Sequence, residues 1–286
     1  MKMVRYEDRD GAKLGAVKGE GVVDLGRRFP SLSDNAIELI RQWRDLKGEA
    51  QRVVAQSAPA VALATVRLLA PVARPGKVMG IGLKYADHIK ESGQEIPRHQ
   101  VWFTKALTAI NGPFDRIEIP RVSPMVDYEA ELVVVIGKSC RHVPKESAAE
   151  VIFGYCAGND VSVRDWQLRT PQWVLGKSFD THAPIGPWIV TADELGDPHT
   201  LGIRCFVNGE RRQNSNTANL VFNVYDQIAH LSEAMTLEPG DLIFTGTPGG
   251  VGGTMRSPKF LKAGDKVRVE IDRIGAIEAV MRLEGE

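Results

Sequence analysis

The first quarter of the chain shows two hydrophobic patterns in turn. Over residues 1–30, short apolar runs alternate with glycines and charged residues, and this pattern predicts a meander of short strands. From Ser33 onward, apolar residues recur at helical spacing, which predicts one helix or two over 33–57 with Ser33 or Asp34 as the N-cap. The residues on the apolar face are Ile37, Ile40, Trp43 and Leu46.

A break in the pattern divides the chain. Residues 71–76 contain two prolines and a glycine, so we expect a small N-terminal α/β domain over 1–70 and a larger domain over 71–286. The larger part reads mainly as strands separated by turns, and the whole chain therefore predicts an α+β fold that is mostly β. The clearest strand candidates are 132–136, 242–245, 266–271 and 276–283.

Composition narrows the class of protein. Lysine plus arginine equals aspartate plus glutamate at 36 each, so no net charge attracts the chain to nucleic acid or to an anionic membrane. No stretch approaches 18 apolar residues and the chain opens without an apolar leader, which predicts a soluble cytoplasmic protein. Three widely spaced cysteines indicate neither a disulfide framework nor a thiolate zinc site. We therefore expect an enzyme that acts on a small molecule.

The candidate chemistry centres on an acidic strand end. Asp127, Glu129 and Glu131 alternate along the chain directly before the β-branched run 132–136. Residues two apart share a face of a strand, so the three carboxylates would repel one another. A bound cation, raised pKa values or exposure to solvent would relieve this repulsion. A site for a hard divalent cation is one interpretation, and a solvent-exposed acidic strand end is the other.

Further polar residues follow a second apolar run. The apolar run 151–160 ends on Asp160, and Arg164 and Gln167 follow at spacings of four and three, which would place all three on one helical face. The alternative is an aspartate that caps this helix and pairs with the helix's own Arg164. Lys105 ends another strand-like stretch, where a solvated side chain is equally expected.

A histidine and a glutamate suggest acid–base chemistry. His88 and Glu91 are three residues apart, so on a helix the carboxylate could accept a hydrogen bond from the imidazole and raise its basicity. Glycines at 82 and 93 bracket the segment, as a moving lid would require. A surface histidine–glutamate pair is the alternative reading.

Two glycine-rich stretches do not form nucleotide loops. Lys177 follows Gly176, but a phosphate loop needs a glycine five residues before Gly176, where Pro171 stands. The stretch 246–253 lacks both the dinucleotide register and the terminal lysine. It predicts a loop whose backbone can approach a ligand closely.

Together these motifs resemble the fumarylacetoacetate hydrolase superfamily. The resemblance covers roughly 77–283, and five separated motifs agree with it in order. Within that superfamily, the resemblance is closest to the fumarylacetoacetate hydrolase domain-containing proteins and the bacterial acylpyruvate hydrolases. It implies a mixed β-sandwich roll, a homodimer, and Mg²⁺ or Mn²⁺, with Ca²⁺ possible in crystals, held by Glu129, Glu131 and Asp160. The motifs are 126–131, 158–167, 176–180, 239–241 and 245–248.

The resemblance also implies roles for single residues. His88 and Glu91 match the family's catalytic pair, and Lys177 matches its catalytic lysine. Asp127 is expected beside the ligands without contacting the ion, and no counterpart is found for a fourth carboxylate ligand of the larger enzymes. The residues implied to contact the substrate are Lys105, Arg164, Gln167, Gly246 and Thr247.

The expected reaction is hydrolysis of a carbon–carbon bond in a 2,4-dioxo acid. Three carboxylates and a divalent ion leave one negative charge, so binding a 2-oxo acid anion requires nearby cations, which Lys177, Arg164 and Lys105 could supply. His88 would deprotonate a water that attacks C4, and pyruvate would leave as its enolate. The alternative is an oxaloacetate decarboxylase or keto–enol tautomerase with the same site, and a non-catalytic metal-binding module is the third reading.

Overall fold

The computed structural model describes residues 1–82, 85 and 98–286, and strands account for most of its regular structure. Within these residues no helix is long and apolar enough to cross a membrane. The strands are β1 (Lys2–Asp8), β2 (Gly11–Lys18), β3 (Gly21–Asp24), β4 (Val61–Ala62), β5 (Arg67–Leu69), β6 (Val78–Gly82), β7 (Val101–Thr104), β8 (Ile110–Asn111), β9 (Ile117–Ile119), β10 (Val126–Asp127), β11 (Ala130–Ile136), β12 (Ile152–Asn159), β13 (Ser162–Val163), β14 (Ala183–Thr191), β15 (Gly202–Val207), β16 (Glu210–Asn216), β17 (Leu242–Phe244), β18 (Lys266–Ile271) and β19 (Gly275–Leu283).

The helices are short except for two. They are α1 (Ala36–Arg41), α2 (Trp43–Gln56), α3 (Arg164–Gln167), α4 (Val174–Lys177), α5 (Ala192–Leu195) and α6 (Val224–Ala234). The predicted helical segment over 33–57 is therefore present, as the two helices α1 and α2. The predicted N-cap is wrong, because Asn35 caps α1 by accepting a hydrogen bond from the N–H of Glu38 at 3.1 Å.

Two sheets dominate the described part of the chain. The larger has the strand order β4-β3-β2-β1-β14-β12-β11-β17-β6-β7, with β5 also paired to β1 and β8 to β14. Most of its pairs are antiparallel, but β17 runs parallel to β6 and β14 runs parallel to β8. The second sheet has the order β16-β15-β18-β19-β9, and β10 pairs separately with β13. The prediction of an α+β fold that is mostly β is confirmed.

Strand β11 lies at the centre of the core and is buried along its whole length. Successive side chains of a strand point to opposite faces, and each face of β11 belongs to a different hydrophobic cluster. Leu132 and Val134 pack in the cluster that contains the second sheet, and Val133 and Val135 pack in the cluster that contains α1. Because both faces of the strand are buried, its residues 132–136 are all apolar.

The N-terminal strands join the larger sheet. Residues of β1 pair with β14, with Lys2 opposite Val190 and Met3 opposite Ile189. The proposed boundary at residue 70 stays a prediction, but the two segments share one continuous sheet through this pairing.

Candidate active site

The predicted acidic strand is broken at its acidic end. Strand β10 ends at Asp127 and β11 begins at Ala130. Between them, the N–H of Glu129 donates to the side-chain oxygen of Asn159 at 2.9 Å instead of joining a strand ladder. The prediction that Asp127 shares a strand face with Glu129 and Glu131 is therefore wrong, because the break separates it from the other two.

Glu129, Glu131 and Asp160 converge on one point. Strands β11 and β12 pair antiparallel with Glu131 opposite Gly158, which brings the end of β12 beside the start of β11. One carboxylate oxygen from each of the three residues lies within 4.8 Å of the other two. The residues are 7%, 1% and 0% exposed in the order given, which excludes a solvated acidic strand end.

This carboxylate cluster requires compensating positive charge. Burial raises the pKa of Glu131 well above its usual range, and the charges of Asp160 and Glu129 raise it further. Convergent carboxylate oxygens are the donors that Mg²⁺, Mn²⁺ and Ca²⁺ prefer in proteins, whereas structural zinc prefers sulfur and nitrogen. The donor set therefore fits a hard divalent cation.

Lys177 lies against two of the three carboxylates. Its Nζ donates to Glu129 Oε2 at 2.9 Å and to Asp160 Oδ2 at 2.6 Å. Burial acts to lower the pKa of Lys177, but the charges of Asp160 and Glu129 outweigh it and raise the pKa overall. The side chain is therefore held as an ammonium ion inside the protein.

Close packing of two helical turns delivers Lys177 to this position. It is the last residue of α4, directly after Gly176. A Cβ at Gly176 would lie 2.2 Å from the backbone nitrogen of Gln167 in α3. Only glycine allows this approach, so Gly176 serves the packing of the two helical turns.

Lys105 supports Asp160 from within the core. Its Nζ lies 2.6 Å from Asp160 Oδ1 and 3.2 Å from the carbonyl oxygen of Val161, and the residue is 1% exposed. The alternative of a solvated lysine is excluded. Burial lowers the pKa of Lys105, and the attraction of Asp160 only partly offsets it.

Arg164 joins Asp127 to the carboxylate cluster. Its Nε donates to Asp127 Oδ2 at 2.8 Å, and its Nη1 lies 2.7 Å from Glu129 Oε1 and 2.8 Å from Gln167 Oε1. Burial acts to raise the pKa of Glu129, but Lys177 and Arg164 together hold it well below its usual range. The alternative in which Asp160 pairs with Arg164 is wrong, since Asp160 pairs with the two lysines.

A small cavity opens beside the cluster. Its volume is about 70 Å³. Trp173 covers the backbone of Gly82, where a Cβ would lie 2.3 Å from the indole ring. Sequence reasoning missed Trp173, because a tryptophan between two short helices carries no recognisable pattern. The lining residues are Ile81, Gly82, Glu129, Arg164, Gln167, Trp173, Lys177 and Thr247.

Thr247 is fixed on the cavity wall by the backbone and by a neighbour. Its hydroxyl donates to the carbonyl oxygen of Ala130 at 2.9 Å and accepts from Gln213 Nε2 at 2.8 Å. Gln213 Oε1 in turn accepts from the N–H of Ala130 at 2.9 Å. Gln213 lies in the other sheet, so only the folded chain reveals this link.

The glycine-rich loop contacts carboxylates of the protein itself. The N–H of Gly246 donates to Glu131 Oε2 at 2.7 Å. The N–H groups of Gly252 and Gly253 each donate to Asp127 at 2.8 Å. Close approach of this loop to a ligand stays a prediction, and the groups that its backbone contacts here are the side chains of Glu131 and Asp127.

A buried imidazole lies behind the cluster. His182 is 0% exposed, its Nε2 lies 2.7 Å from the carbonyl oxygen of Glu118, and its own carbonyl oxygen accepts from the N–H of Val161 at 3.1 Å. Burial lowers its pKa to about 3, although the hydrogen bond to Glu118 acts in the opposite direction. His182 is therefore neutral at physiological pH.

The predicted catalytic pair His88 and Glu91 lies outside the described residues. Their roles stay predictions. Strand β6 ends at Gly82, which lines the cavity.

Comparison with known proteins agrees with this arrangement. Residues 77–282 match the family model described as fumarylacetoacetate (FAA) hydrolase C-terminal. The mitochondrial oxaloacetate tautomerase Fahd2a of Rattus norvegicus is 44% identical over 260 residues, which cover 91% of this chain and 83% of that protein.

Solved structures resemble the whole chain. The maleylpyruvate hydrolase of Sphingobium sp. SYK-6, in complex with manganese(II) and pyruvate, has a TM-score of 0.83 at 34% identity and covers 99% of both chains. The fumarylacetoacetate hydrolase of Exiguobacterium antarcticum has a TM-score of 0.84 at 36% identity, over 99% of this chain and 100% of its own.

Proposed function

This chain belongs to the fumarylacetoacetate hydrolase family and is an enzyme, and from this premise we propose that it interconverts the keto and enol forms of oxaloacetate. The reaction moves one proton between C3 and the 2-oxo oxygen and consumes no water. The observation that carries the proposal is the buried cluster of Glu129, Glu131 and Asp160 beside a cavity that Lys177 also lines.

The charges of the site suit a 2-oxo acid anion. Within the described part of the site, the cluster and Asp127 bring four negative charges when ionised. Lys105, Lys177 and Arg164 bring three positive charges. A divalent ion turns the remaining negative charge into one positive charge. The 2-oxo carboxylate of oxaloacetate would neutralise it, and the second carboxylate of the substrate would leave the complex with one net negative charge.

We propose that Glu129, Glu131 and Asp160 hold Mg²⁺ or Mn²⁺. When bound, such an ion acts as a Lewis acid that polarises the 2-oxo group and makes the C3 proton more acidic. Lys105 would hold Asp160 in place through Oδ1, and the N–H of Gly246 would do the same for Glu131. Lys105 and Gly246 would thus act on the metal ligands and would not contact the substrate.

The cavity residues would bind the substrate and stabilise the developing charge. The ammonium group of Lys177 would lie near the 2-oxo oxygen and stabilise the negative charge that develops as C3 loses its proton. Arg164 and Gln167, which also line the cavity, would orient the carboxylate, and Thr247 would limit the space around the substrate. His88, oriented by Glu91, is proposed to accept the C3 proton at an imidazole nitrogen.

Sequence similarity supports tautomerisation as the first candidate. The rat oxaloacetate tautomerase shares 44% identity with this chain. A putative hydrolase of Burkholderia ambifaria is equally similar at 44% identity, which makes hydrolysis the second candidate.

Hydrolysis of a 2,4-dioxo acid is the second candidate. The solved maleylpyruvate hydrolase contains manganese(II) and pyruvate, which is the product that cleavage of an acylpyruvate would release. In this reaction His88 would take a proton from water, the hydroxide would attack C4, and the C3–C4 bond would break. The products would be a carboxylic acid and the enolate of pyruvate, which is then protonated at C3.

The predicted assembly and location remain proposals as well. We propose a homodimer that acts on its small-molecule substrate in the cytoplasm without a nucleic-acid or membrane partner. Light scattering of the purified chain would give the mass of the particle and test the dimer directly.

The experiment that separates the two reactions follows two products at once. Enol-oxaloacetate is dissolved immediately before use, the loss of its enol absorbance is recorded, and pyruvate is measured in the same sample with lactate dehydrogenase. Manganese-loaded enzyme should accelerate loss of the enol without forming pyruvate, and chelator-stripped enzyme should not. Glu131→Gln is the matched control and should stay at the spontaneous rate. Faster release of pyruvate from an acylpyruvate would favour hydrolysis.

A further inference from the structure

Asp127 is the one carboxylate of the acidic stretch that lies apart from the cluster, and it is completely buried. Its Oδ1 accepts from the N–H groups of Tyr128 at 2.9 Å and Gly252 at 2.8 Å. Its Oδ2 accepts from the N–H of Gly253 and from Arg164 Nε, both at 2.8 Å. Four donors thus surround one carboxylate, and three of them are backbone groups that cannot move independently of the fold.

The glycine-rich loop is shaped around this carboxylate. A Cβ at Gly252 would lie 2.8 Å from Asp127 Oδ1 and 2.2 Å from the carbonyl oxygen of Lys259, so a side chain there would displace the loop. A Cβ at Gly253 would lie 3.1 Å from Asp127 Oδ2. The two adjacent glycines therefore allow both N–H groups to reach the same carboxylate.

Arg164 connects Asp127 to the carboxylate cluster. Its guanidinium donates to Asp127, Gln167 and Glu129, and planar, multiply bonded guanidinium groups are held in a fixed orientation. The contact with Glu129 uses Oε1, whereas Oε2 faces Lys177. Arg164 and Lys177 thus hold different oxygens of Glu129, and Ser162 Oγ also donates to Oε1 at 3.3 Å.

We propose that Asp127 is a positioning residue that acts through Arg164. Together with the N–H groups of Gly252 and Gly253, it fixes the guanidinium, and the guanidinium fixes Glu129 in the rotamer that joins Glu131 and Asp160. The inference rests on the proposed function in one respect, namely that these three residues hold a divalent ion. It gives the glycine-rich loop a role in holding the residues of the metal site in position.

The test compares two isosteric substitutions of buried carboxylates. Asp127→Asn places an NH₂ group against N–H donors, and Mn²⁺ affinity measured by calorimetry should fall roughly 10–100-fold, as for other residues that orient metal ligands. Asp241→Asn is the matched control, because Asp241 is equally buried but pairs with Lys77 away from the cavity. Its Mn²⁺ affinity should change less than about twofold, a small fraction of that effect.

A double-mutant cycle tests the route through Arg164. If Asp127 acts through Arg164, Asp127→Asn should weaken Mn²⁺ binding much less in an Arg164→Met background than in the wild type. Independent, multiplying effects would overturn the proposal, and so would unchanged Mn²⁺ binding in folded Asp127→Asn. Circular dichroism establishes folding, and Gly253→Ala serves if Asp127→Asn does not fold, with a smaller loss of affinity in the same direction.

The outcome is separable from the proposed reaction. If Asp127→Asn weakens Mn²⁺ binding but the wild type does not convert enol-oxaloacetate, the positioning role stands and the proposed reaction fails. If the wild type converts the enol and Asp127→Asn equals it in Mn²⁺ affinity, the reaction stands and the positioning role fails. A wild type that binds no Mn²⁺ would overturn both.

Discussion

Lys105 Nζ and Asp160 Oδ1 lie 2.6 Å apart, and both side chains are completely buried. Asp160 has a second partner in Lys177, which binds its other oxygen. The pair is therefore a fixed part of the site and not a surface contact that solvent could replace.

We expect Lys105→Met to destabilise the metal-free protein. Removing one partner of a buried ion pair leaves an uncompensated charge and typically costs about 3–5 kcal/mol, and Lys177 should keep the loss near the lower end. Added Mn²⁺ should restore part of it, because the ion would also compensate Asp160. Urea unfolding with and without Mn²⁺ measures both effects. Lys13→Met, which breaks a half-buried pair with Asp8 at the surface, should lower the midpoint much less. Equal midpoints for the two variants would contradict the prediction.

Glu131→Gln should stabilise the metal-free protein while it removes the response to metal. Burial and the neighbouring charges of Asp160 and Glu129 raise the pKa of Glu131, so the folded state binds its proton more tightly than the unfolded state. That stabilisation is complete below the ordinary glutamate pKa and is lost as pH rises through the folded value. At pH 7 the glutamine carries no charge, so the variant avoids this loss of stability. Its side-chain oxygen can still accept a hydrogen bond from the N–H of Gly246. Thermal unfolding should show a higher midpoint in chelator and no shift with Mn²⁺.

Metal binding should release a proton while Glu131 is still protonated. Below the raised pKa of this carboxyl, the ion and the proton compete for the same oxygen, so apparent Mn²⁺ affinity should rise by up to about tenfold per pH unit. Above that pKa the affinity should become independent of pH as far as Glu131 is concerned. Calorimetry in two buffers of different ionisation enthalpy counts the released proton. A count of zero throughout would show that Glu131 is already ionised in the metal-free protein.

His182 should make the fold sensitive to mild acid. Its folded pKa of about 3 lies below the ordinary histidine value, so between the two the unfolded chain binds the extra proton. The contribution of His182 to stability should therefore fall by about 1.4 kcal/mol per pH unit below pH ~6.5. His182→Gln lacks this titration. The difference in urea midpoints between wild type and variant should shrink as pH decreases from 7 to 5, and a constant difference would contradict the argument.

His88→Ala should impair turnover without weakening metal binding. Loss of a general acid–base group typically costs 10²–10⁴-fold in rate. Mn²⁺ affinity should remain close to that of the wild type, because the carboxylate cluster is formed by other residues. Steady-state kinetics and calorimetry on the same preparation provide both quantities. Loss of metal together with activity would instead identify His88 as a ligand.

The main strands could be predicted from the sequence because each has a local pattern, whereas the grouping of Asp160 with Glu129 and Glu131 came from the resemblance to the family. The apolar run of β11 and the alternation of Glu129 and Glu131 lie within a few residues, and β18 matches its predicted bounds of 266–271. The break before Ala130 could not be predicted, since it depends on the side chain of Asn159 replacing a ladder hydrogen bond. Asn159 belongs to one of the recognised motifs, but the sequence does not show that its side chain accepts a hydrogen bond from the N–H of Glu129.

The pairing of the basic residues was also beyond local patterns. Spacing brought Arg164 toward Asp160, whereas the fold pairs Arg164 with Asp127 and Glu129. Lys105 has a partner 55 residues away, and no periodicity reports on such a distance. Residues such as Trp173 and Gln213 reach the site only because separate sheets and helices meet there.

The pairing of β1 with β14 has a consequence for biosynthesis. Strand β1 spans Lys2–Asp8, and β5 pairs with its residues Arg5–Glu7, but Lys2 and Met3 pair on this side only with β14, which begins at Ala183. Until a ribosome has completed β14, the start of β1 therefore exposes unpaired N–H and C=O groups, which are prone to pair with other strands. An isolated fragment of residues 1–70 would keep this short unpaired edge permanently and should aggregate more readily than the full chain.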